Sequence, residues 1–172
     1  MTSGHFCAPT QLTEGHDLAG FDCGILSLDD WLKNRAMSNQ RCGASRTYVL
    51  YQGNEAVGYY CLATGAIDRD EAPGAIRRNI PDPIPVVVLG RLAVDRRFQN
   101  QRLGSAMLRD AVCRFVQVAE IAGAVALLVH PISENARGFY QSWGFRESSL
   151  EPMTLCLMLG TVHRTGITSG QK

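Results

Sequence analysis

One run of residues, Val86 to Ala111 (VVVLGRLAVDRRFQNQRLGSAMLRDA), constrains the fold more than any other part of the chain. The apolar residues Val86 to Leu89 and Leu92 to Val94 predict a buried strand. A loop rich in arginine and glutamine follows, then Gly104. Leu108, Val112, Phe115 and Ala119 then fall at i, i+4, i+7 and i+11, the spacing of one helix face. A strand, a tight loop and a helix start present free backbone N–H groups and a positive helix end to a phosphate. Arg96, Arg97 and Arg102 cluster in this loop, and small Ser105 and Ala106 permit close backbone approach. An ordinary solvated strand-to-helix turn would carry the same residues, so both readings stand at this point.

The rest of the chain supplies the sheet around that unit. Residues 6–12 predict a first strand, although Pro9 interrupts it, and Ser27-Leu28-Asp29-Asp30 resembles a capping box before a helix over 28–41. Residues 47–51 and 56–67 read as a hairpin about Gln52-Gly53-Asn54-Glu55. The proline-rich segment 68–85 is an excursion with one helical turn near 75–79. Residues 124–130 give another buried strand, Ser133 caps a helix over 134–143 that Gly144 closes, and residues 153–159 form the last strand. The polar stretch 161–172 reads as a flexible tail beyond a single domain over 1–160. This order predicts an α/β (α+β mixed sheet) protein with helices on both faces.

Composition narrows the setting. The chain has 172 residues, 45% hydrophobic and 19% charged, as expected for a soluble domain. No apolar run is long enough to span a bilayer, and MTSGHFCAPT lacks the charged and apolar regions of a secretory signal. Six cysteines are scattered without a C-x-x-C pair, which favours reduced packing residues in a cytoplasmic protein and no metal site. Residues 1–30 hold five acids and no Lys or Arg, which leaves the remainder at about +6. Of the basic residues only Lys33 and Lys172 are lysines. Arginine's planar fork suits phosphate, and biased base composition would give the same ratio.

A second constellation is Glu134-Asn135-Ala136-Arg137-Gly138-Phe139-Tyr140, followed by Trp143-Gly144-Phe145. Aromatic residues at helical spacing are mostly core, which fits Phe139, Trp143 and Phe145. Tyr140 differs, because a phenol both donates and accepts a proton. His130, before Pro131 at a strand end, reads as structural.

The sequence G-R-L-A-V-D, the Q-x-Q-x-x-G loop and N-A-x-x-F-Y-x-x-x-G-F together resemble the GNAT family of N-acetyltransferases over nearly the whole chain. More narrowly, F-D-C-G, D-x-W-L and R-R-N-I-P-D-P-I-P-V-V-V-L-G-R-L-A-V-D resemble the acetyltransferase toxins of type II toxin–antitoxin modules. The resemblance implies the GNAT acyl-CoA N-acyltransferase fold, with a central mixed six- to seven-stranded sheet flanked by helices. It implies acetyl-CoA as co-substrate with no metal, and acetyl transfer to the amino group of aminoacyl-tRNA, which blocks translation. It also implies a ribbon-helix-helix antitoxin encoded alongside, a homodimer and no membrane partner.

Carried over by position, Leu92, Ala93 and Val94 match the strand that pairs with the pantetheine amides. Gln99, Asn100, Gln101, Arg102, Leu103, Gly104 and Ser105 match the pyrophosphate loop. Asn135 and Phe139 match cofactor contacts, Tyr140 the general acid, and Arg77, Arg78 and Arg91 basic positions facing tRNA. One departure stands out: the family formula Q/R-x-x-G-x-G/A becomes Gln99-x-x-Arg102-x-Gly104, with arginine in place of the first glycine. Either Arg102 adopts a strained positive φ and CoA affinity suffers, or it is helical or extended and its guanidinium adds to the backbone donors. Transfer to a small-molecule amine or a protein N-terminus is the alternative acceptor chemistry, and a non-catalytic CoA-binding module the alternative class.

Overall fold

The computed structural model describes residues 5–71, 80–148 and 153–168. Its elements run β1 (Phe6–Gln11), α1 (Leu26–Asn34), α2 (Ala36–Arg41), β2 (Arg46–Gln52), β3 (Glu55–Ile67), β4 (Ile84–Val94), α3 (Leu103–Ala122), β5 (Ala126–Val129), α4 (Glu134–Ser142), β6 (Arg146–Glu147), β7 (Leu155–Met158) and α5 (Leu159–Thr165). Short 3-10 turns occupy Arg69–Glu71 and Arg96–Phe98. The seven strands hydrogen-bond in the order β1-β2-β3-β4-β5-β7-β6. The β4–β5 pair is parallel, whereas β1–β2, β2–β3, β5–β7 and β6–β7 are antiparallel, so the sheet is mixed as expected. The chain divides into two compact units, Met1–Ala63 with Gly90–Ala111, and Thr64–Leu89 with Val112–Lys172.

The first unit is built on β1, β2 and the first part of β3. Pro9 lies in a register shift between Cys7 and Thr10 on the edge strand, where a missing N–H costs no ladder bond. Leu12, Phe21, Trp31, Leu32, Ala36, Val49, Tyr51, Tyr59 and Ala93 form its core. The predicted helix over 28–41 is two helices, broken at Arg35 (φ −123°, ψ −31°). Ser27 makes no cap either. The helix begins at Leu26, and Asp29 turns back to accept the Cys23 N–H at 2.8 Å. This bond serves a backbone donor ahead of the helix, not one of the two that a Ser27–Asp30 capping box would serve.

Tight packing fixes the start of α3 in the same unit. A Cβ on Gly58 would lie 2.9 Å from the Met107 Cε and Sδ and 3.3 Å from the Ala93 oxygen. Met107 is fully buried, so the absent side chain is what lets the helix seat against β3.

In the second unit β5 lies parallel to β4 from Val86↔Ala126 to Leu89↔Val129. The pairing with β5 stops there, and β4 continues through Gly90–Val94. Ile84, Val86, Ala126, Leu128 and Cys156 form this unit's core. The expected tail differs from the structure: α5 occupies Leu159–Thr165 and ends at Gly166 with φ +63°. Val162, 1% exposed, anchors this last helix as its one buried side chain. The helical turn expected near 75–79 falls outside the described residues.

Gly58→Val is expected to lower stability by about 1–3 kcal/mol through overpacking. The measurement is a urea midpoint shift at constant slope; an unchanged midpoint would mean that Met107 moves aside without cost.

Candidate active site

The strand-to-helix turn that opened the sequence reading is held by one carboxylate. Asp95 follows β4, is fully buried, and caps the 3-10 turn Arg96–Phe98. Its Oδ1 accepts the Arg97 backbone N–H at 3.0 Å and the Arg97 Nε–H at 2.9 Å. Its Oδ2 accepts the Asp22 N–H at 3.1 Å and the Arg97 Nη2–H at 3.0 Å. Burial pushes this carboxyl's pKa up, yet the Arg97 and Asp22 hydrogen bonds and the Arg97 charge outweigh it and leave the group below the usual range.

Further bonds tie the turn to the segment before α1. The Arg96 N–H donates to the Asp22 oxygen at 2.8 Å, and the Arg96 guanidinium pairs with the Asp22 carboxylate. That pairing, with help from the Gly24 N–H, draws the Asp22 pKa down. Gln99 spends its side-chain amide on the carbonyls of Cys23 (3.1 Å) and Val94 (2.9 Å). Arg97 also reaches Glu55 at 2.7 Å. Arg96 and Arg97, two of the three loop arginines, are therefore neutralised by carboxylates.

Beyond Gln99 the backbone turns sharply. Asn100 has φ +64° and Arg102 φ +62°, both in the left-handed region. Arg102 thus takes the strained positive φ while its guanidinium stays available, so the two outcomes that the sequence set against each other occur together. A side chain other than Gly, Asn or Asp in this region costs on the order of 1–2 kcal/mol. What the strain maintains is a change of hand just before Leu103, which makes successive N–H groups converge. The Ala106 N–H returns to the Arg102 oxygen at 3.1 Å, so Arg102 occupies the cap position. The N–H groups of Leu103, Gly104 and Ser105 precede the first intrahelical bond. No acidic residue sits in this first turn. The Arg102 guanidinium is exposed and forms no ion pair among the described residues. An uncompensated helix start, convergent amides and a free guanidinium suit a pyrophosphate.

The second unit carries the other predicted residues. Ser133 caps α4, its Oγ accepting the Ala136 N–H at 3.1 Å, as expected. Asn135 is exposed, Phe139 half-buried and Tyr140 buried. The Tyr140 ring meets Phe139 and Phe145 edge-on at centroid distances of 5.2 and 5.4 Å. Burial raises its phenol well above the ordinary value, so the hydroxyl keeps its proton. An Arg137–Glu147 ion pair ties α4 to β6. His130 Nδ1 lies 2.9 Å from Thr154 Oγ1, in keeping with a structural role.

Of the basic residues expected to face nucleic acid, Arg91 lies in the first unit over the Trp31 ring. Arg77 and Arg78 lie outside the described residues. Sequence reasoning missed Asp22 and Asp95; the D-C-G run before α1 was the available signal. Among the described residues no cluster of three or more His, Cys, Asp or Glu is placed to hold a metal ion, and no helix is long and apolar enough to cross a membrane.

Two outcomes test this description. Arg102→Gly is expected to raise stability by about 0.5–1 kcal/mol, and Asn100→Gly by less, because asparagine tolerates the left-handed region; thermal midpoints check the order. Asp95→Asn should cost about 2–3 kcal/mol at neutral pH. A carboxyl whose folded pKa is depressed stabilises the fold above its unfolded value, about 3.9, and loses that contribution as pH falls through the folded one. Wild-type stability should therefore drop more steeply than that of Asp95→Asn on acidification below about pH 4, as read by urea titration. Parallel profiles would remove Asp95 from this role.

Comparison with known proteins gives a consistent picture. Residues 43–147 match a family profile described as "Acetyltransferase (GNAT) domain". A "tRNA-acetylating toxin" of Mycobacterium tuberculosis is 44% identical over 154 residues, 90% of this chain and 93% of that protein. The structure of AtaT complexed with acetyl-methionyl-tRNAfMet has a TM-score of 0.88 at 27% identity, covering 94% of this chain and 99% of AtaT. A mutant AtaT toxin bound to the C-terminus of the antitoxin AtaR and acetyl-CoA has a TM-score of 0.80 at 26% identity, covering 94% and 97%. The mixed seven-stranded sheet, the turn after β4 and these matches lead to one assignment: the chain belongs to the GNAT acetyltransferase family.

Proposed function

We propose that this protein is the toxin of a type II toxin–antitoxin system, which moves acetyl from acetyl-CoA to the amino group of aminoacyl-tRNA and so blocks translation. The observation that carries the reading is the 44% identity, over 90% of the chain, to a tRNA-acetylating toxin. The turn after β4, formed with Arg102 in the left-handed region, supports acetyl-CoA binding, and turnover is what separates an enzyme from a non-catalytic CoA-binding module.

When bound, acetyl-CoA supplies an acetyl thioester. The N–H groups of Leu103, Gly104 and Ser105 hold its pyrophosphate, with Asn100, Gln101 and the Arg102 guanidinium at the rim and Gln99 bracing the turn. Leu92, Ala93 and Val94 offer backbone groups to the pantetheine amides, on the length of β4 that continues past its pairing with β5. A backbone N–H there polarises the thioester carbonyl. Asn135 and Phe139 flank the cofactor.

The acceptor is an aminoacyl ester, whose α-amino group ionises near pH 7.7–8.0 or below, at about that reference value. Much of it is neutral at physiological pH, and no strong side-chain base is required. As the amine nitrogen bonds to the acetyl carbon, the C–S bond breaks, the amine's proton leaves to water, and Tyr140 Oη donates its proton to the departing sulfur. Burial keeps that proton on the phenol and so available, while making the group a weaker acid than an exposed tyrosine.

Arg77, Arg78 and Arg91 supply cationic contacts for tRNA phosphates. A ribbon-helix-helix antitoxin encoded alongside, a homodimer and a cytoplasmic location complete the reading. AtaT, bound to an antitoxin segment in a related structure, supports the antitoxin partnership.

Labelled acetyl-CoA and a pool of charged tRNA, followed by mass analysis of the aminoacyl ends, test the reaction. Tyr140→Phe should keep its acetyl-CoA affinity and lose on the order of 10²–10⁴-fold in turnover, the span of general acid–base catalysis. The wild-type rate should rise with pH as the amine deprotonates, with no descending limb up to about pH 9. Unchanged turnover in the variant removes Tyr140 from the mechanism, and acetylation of free amines alone moves the acceptor to small molecules.

A further inference from the structure

Among the arginines of the first unit Arg91 is set apart by being half-buried, the others being exposed. Arg96 and Arg97 are exposed and each is matched by carboxylates, those of Asp22, Asp95 and Glu55. In the second unit Arg137, whose side chain is 19% exposed, is likewise matched by Glu147. Arg91 is half-buried and has no carboxylate within salt-bridge distance among the described residues. A charge drawn partly out of water without a counter-charge is costly, and proteins keep such groups where an anion arrives.

Its surroundings sharpen the point. The Arg91 guanidinium carbon lies 4.3 Å from the centroid of the buried Trp31 ring. Arg91 also contacts the Cys61 thiol, which burial holds protonated, so the sulfur offers no negative charge. The Tyr59 hydroxyl donates to the Leu28 oxygen at 2.7 Å and is kept neutral by burial as well. Asp29, the buried carboxylate on the same helix as Trp31, is spent on the Cys23 N–H. Arg91 itself stands on the stretch Gly90–Val94, where β4 has outrun its parallel neighbour.

We infer that Trp31 is a positioning residue for the acceptor, its indole face holding the Arg91 guanidinium flat so that the free N–H donors take a phosphate of the charged tRNA. This rests on the tRNA acceptor proposed above and adds to it a residue whose effect runs entirely through Arg91. An indole face stabilises a partly desolvated guanidinium and fixes its plane, which lowers the ordering cost of a bidentate phosphate contact.

The test is steady-state kinetics with acetyl-CoA and charged tRNA over a salt series, for Arg91→Ala, Trp31→Phe, Trp31→Leu and the double variant Trp31→Leu/Arg91→Ala. Arg91→Ala should raise the KM for charged tRNA about tenfold and flatten the slope of log KM against log salt by about 0.7–1, the loss of one phosphate contact. Trp31→Leu should raise the same KM roughly three- to tenfold, and the double variant should be no worse than Arg91→Ala. Trp31→Phe, which keeps an aromatic face, should recover most of the loss, and the KM for acetyl-CoA should stay within about twofold throughout.

If Trp31→Leu does not fold, Arg91→Lys replaces it: an ammonium keeps the charge but not the planar stack, so KM rises about threefold with the salt slope retained. An unchanged salt slope in Arg91→Ala, a full additional loss in the double variant, or wild-type behaviour of Arg91→Lys overturns the inference. A wild-type protein that acetylates no charged tRNA overturns the proposed acceptor too, and so separates the two failures.

Discussion

Asp95 carries four hydrogen bonds on two oxygens, and the turn that follows β4 has its shape because of them. A carboxylate excluded from water is tolerable only when its lone pairs are used, and here each oxygen takes two donors. Two donors come from backbone, those of Asp22 and Arg97, so the carboxylate fixes where two chain segments lie and not merely where a side chain rests. Given that anchor, the left-handed residues Asn100 and Arg102 are over-determined from one side by the 3-10 turn and from the other by the first turn of α3. Strain of this kind persists when the surroundings leave the backbone no alternative.

The same anchor sorts the positive charge. Arg96 and Arg97 look, in a sequence, like phosphate ligands. In the fold both are brackets for the loop, which leaves main-chain amides, Arg102 and the start of α3 as the candidates to meet an anion. Backbone donors fixed in place need no reorganisation when a ligand arrives, which is the advantage of preorganised dipoles over mobile side chains. Arg91 belongs to neither group, because its partner is an aromatic face.

Much of the fold was legible because the elements that matter are locally encoded. The apolar run of β4, the i, i+4 spacing of α3 and the Ser133 cap of α4 all lie within a few residues of the structure they specify. The turn between β4 and α3 was legible for the same reason, and its glycine-to-arginine departure named a residue that takes a positive φ. What escaped was non-local. Asp22 and Asp95 stand 73 positions apart, and no periodicity links them. The break at Arg35 has neither glycine nor proline to mark it, and α5 rests on one buried valine in a polar stretch. Trp31 lies in the core, and the guanidinium over its ring comes from a strand distant in sequence, a contact that no local pattern marks.

The brackets around the turn differ in depth. In the Arg96–Asp22 pair both side chains are half exposed or more, at 63% and 50%, whereas the Asp95 side chain that meets Arg97 is 1% exposed. Mobile ions reach the outer pair readily and the inner one hardly at all. Brine would thus loosen the rim while its root stays rigid, so ionic strength would act on such a protein at two levels: on the proposed contacts with a polyanion, and on the suppleness of a separate ledge after β4.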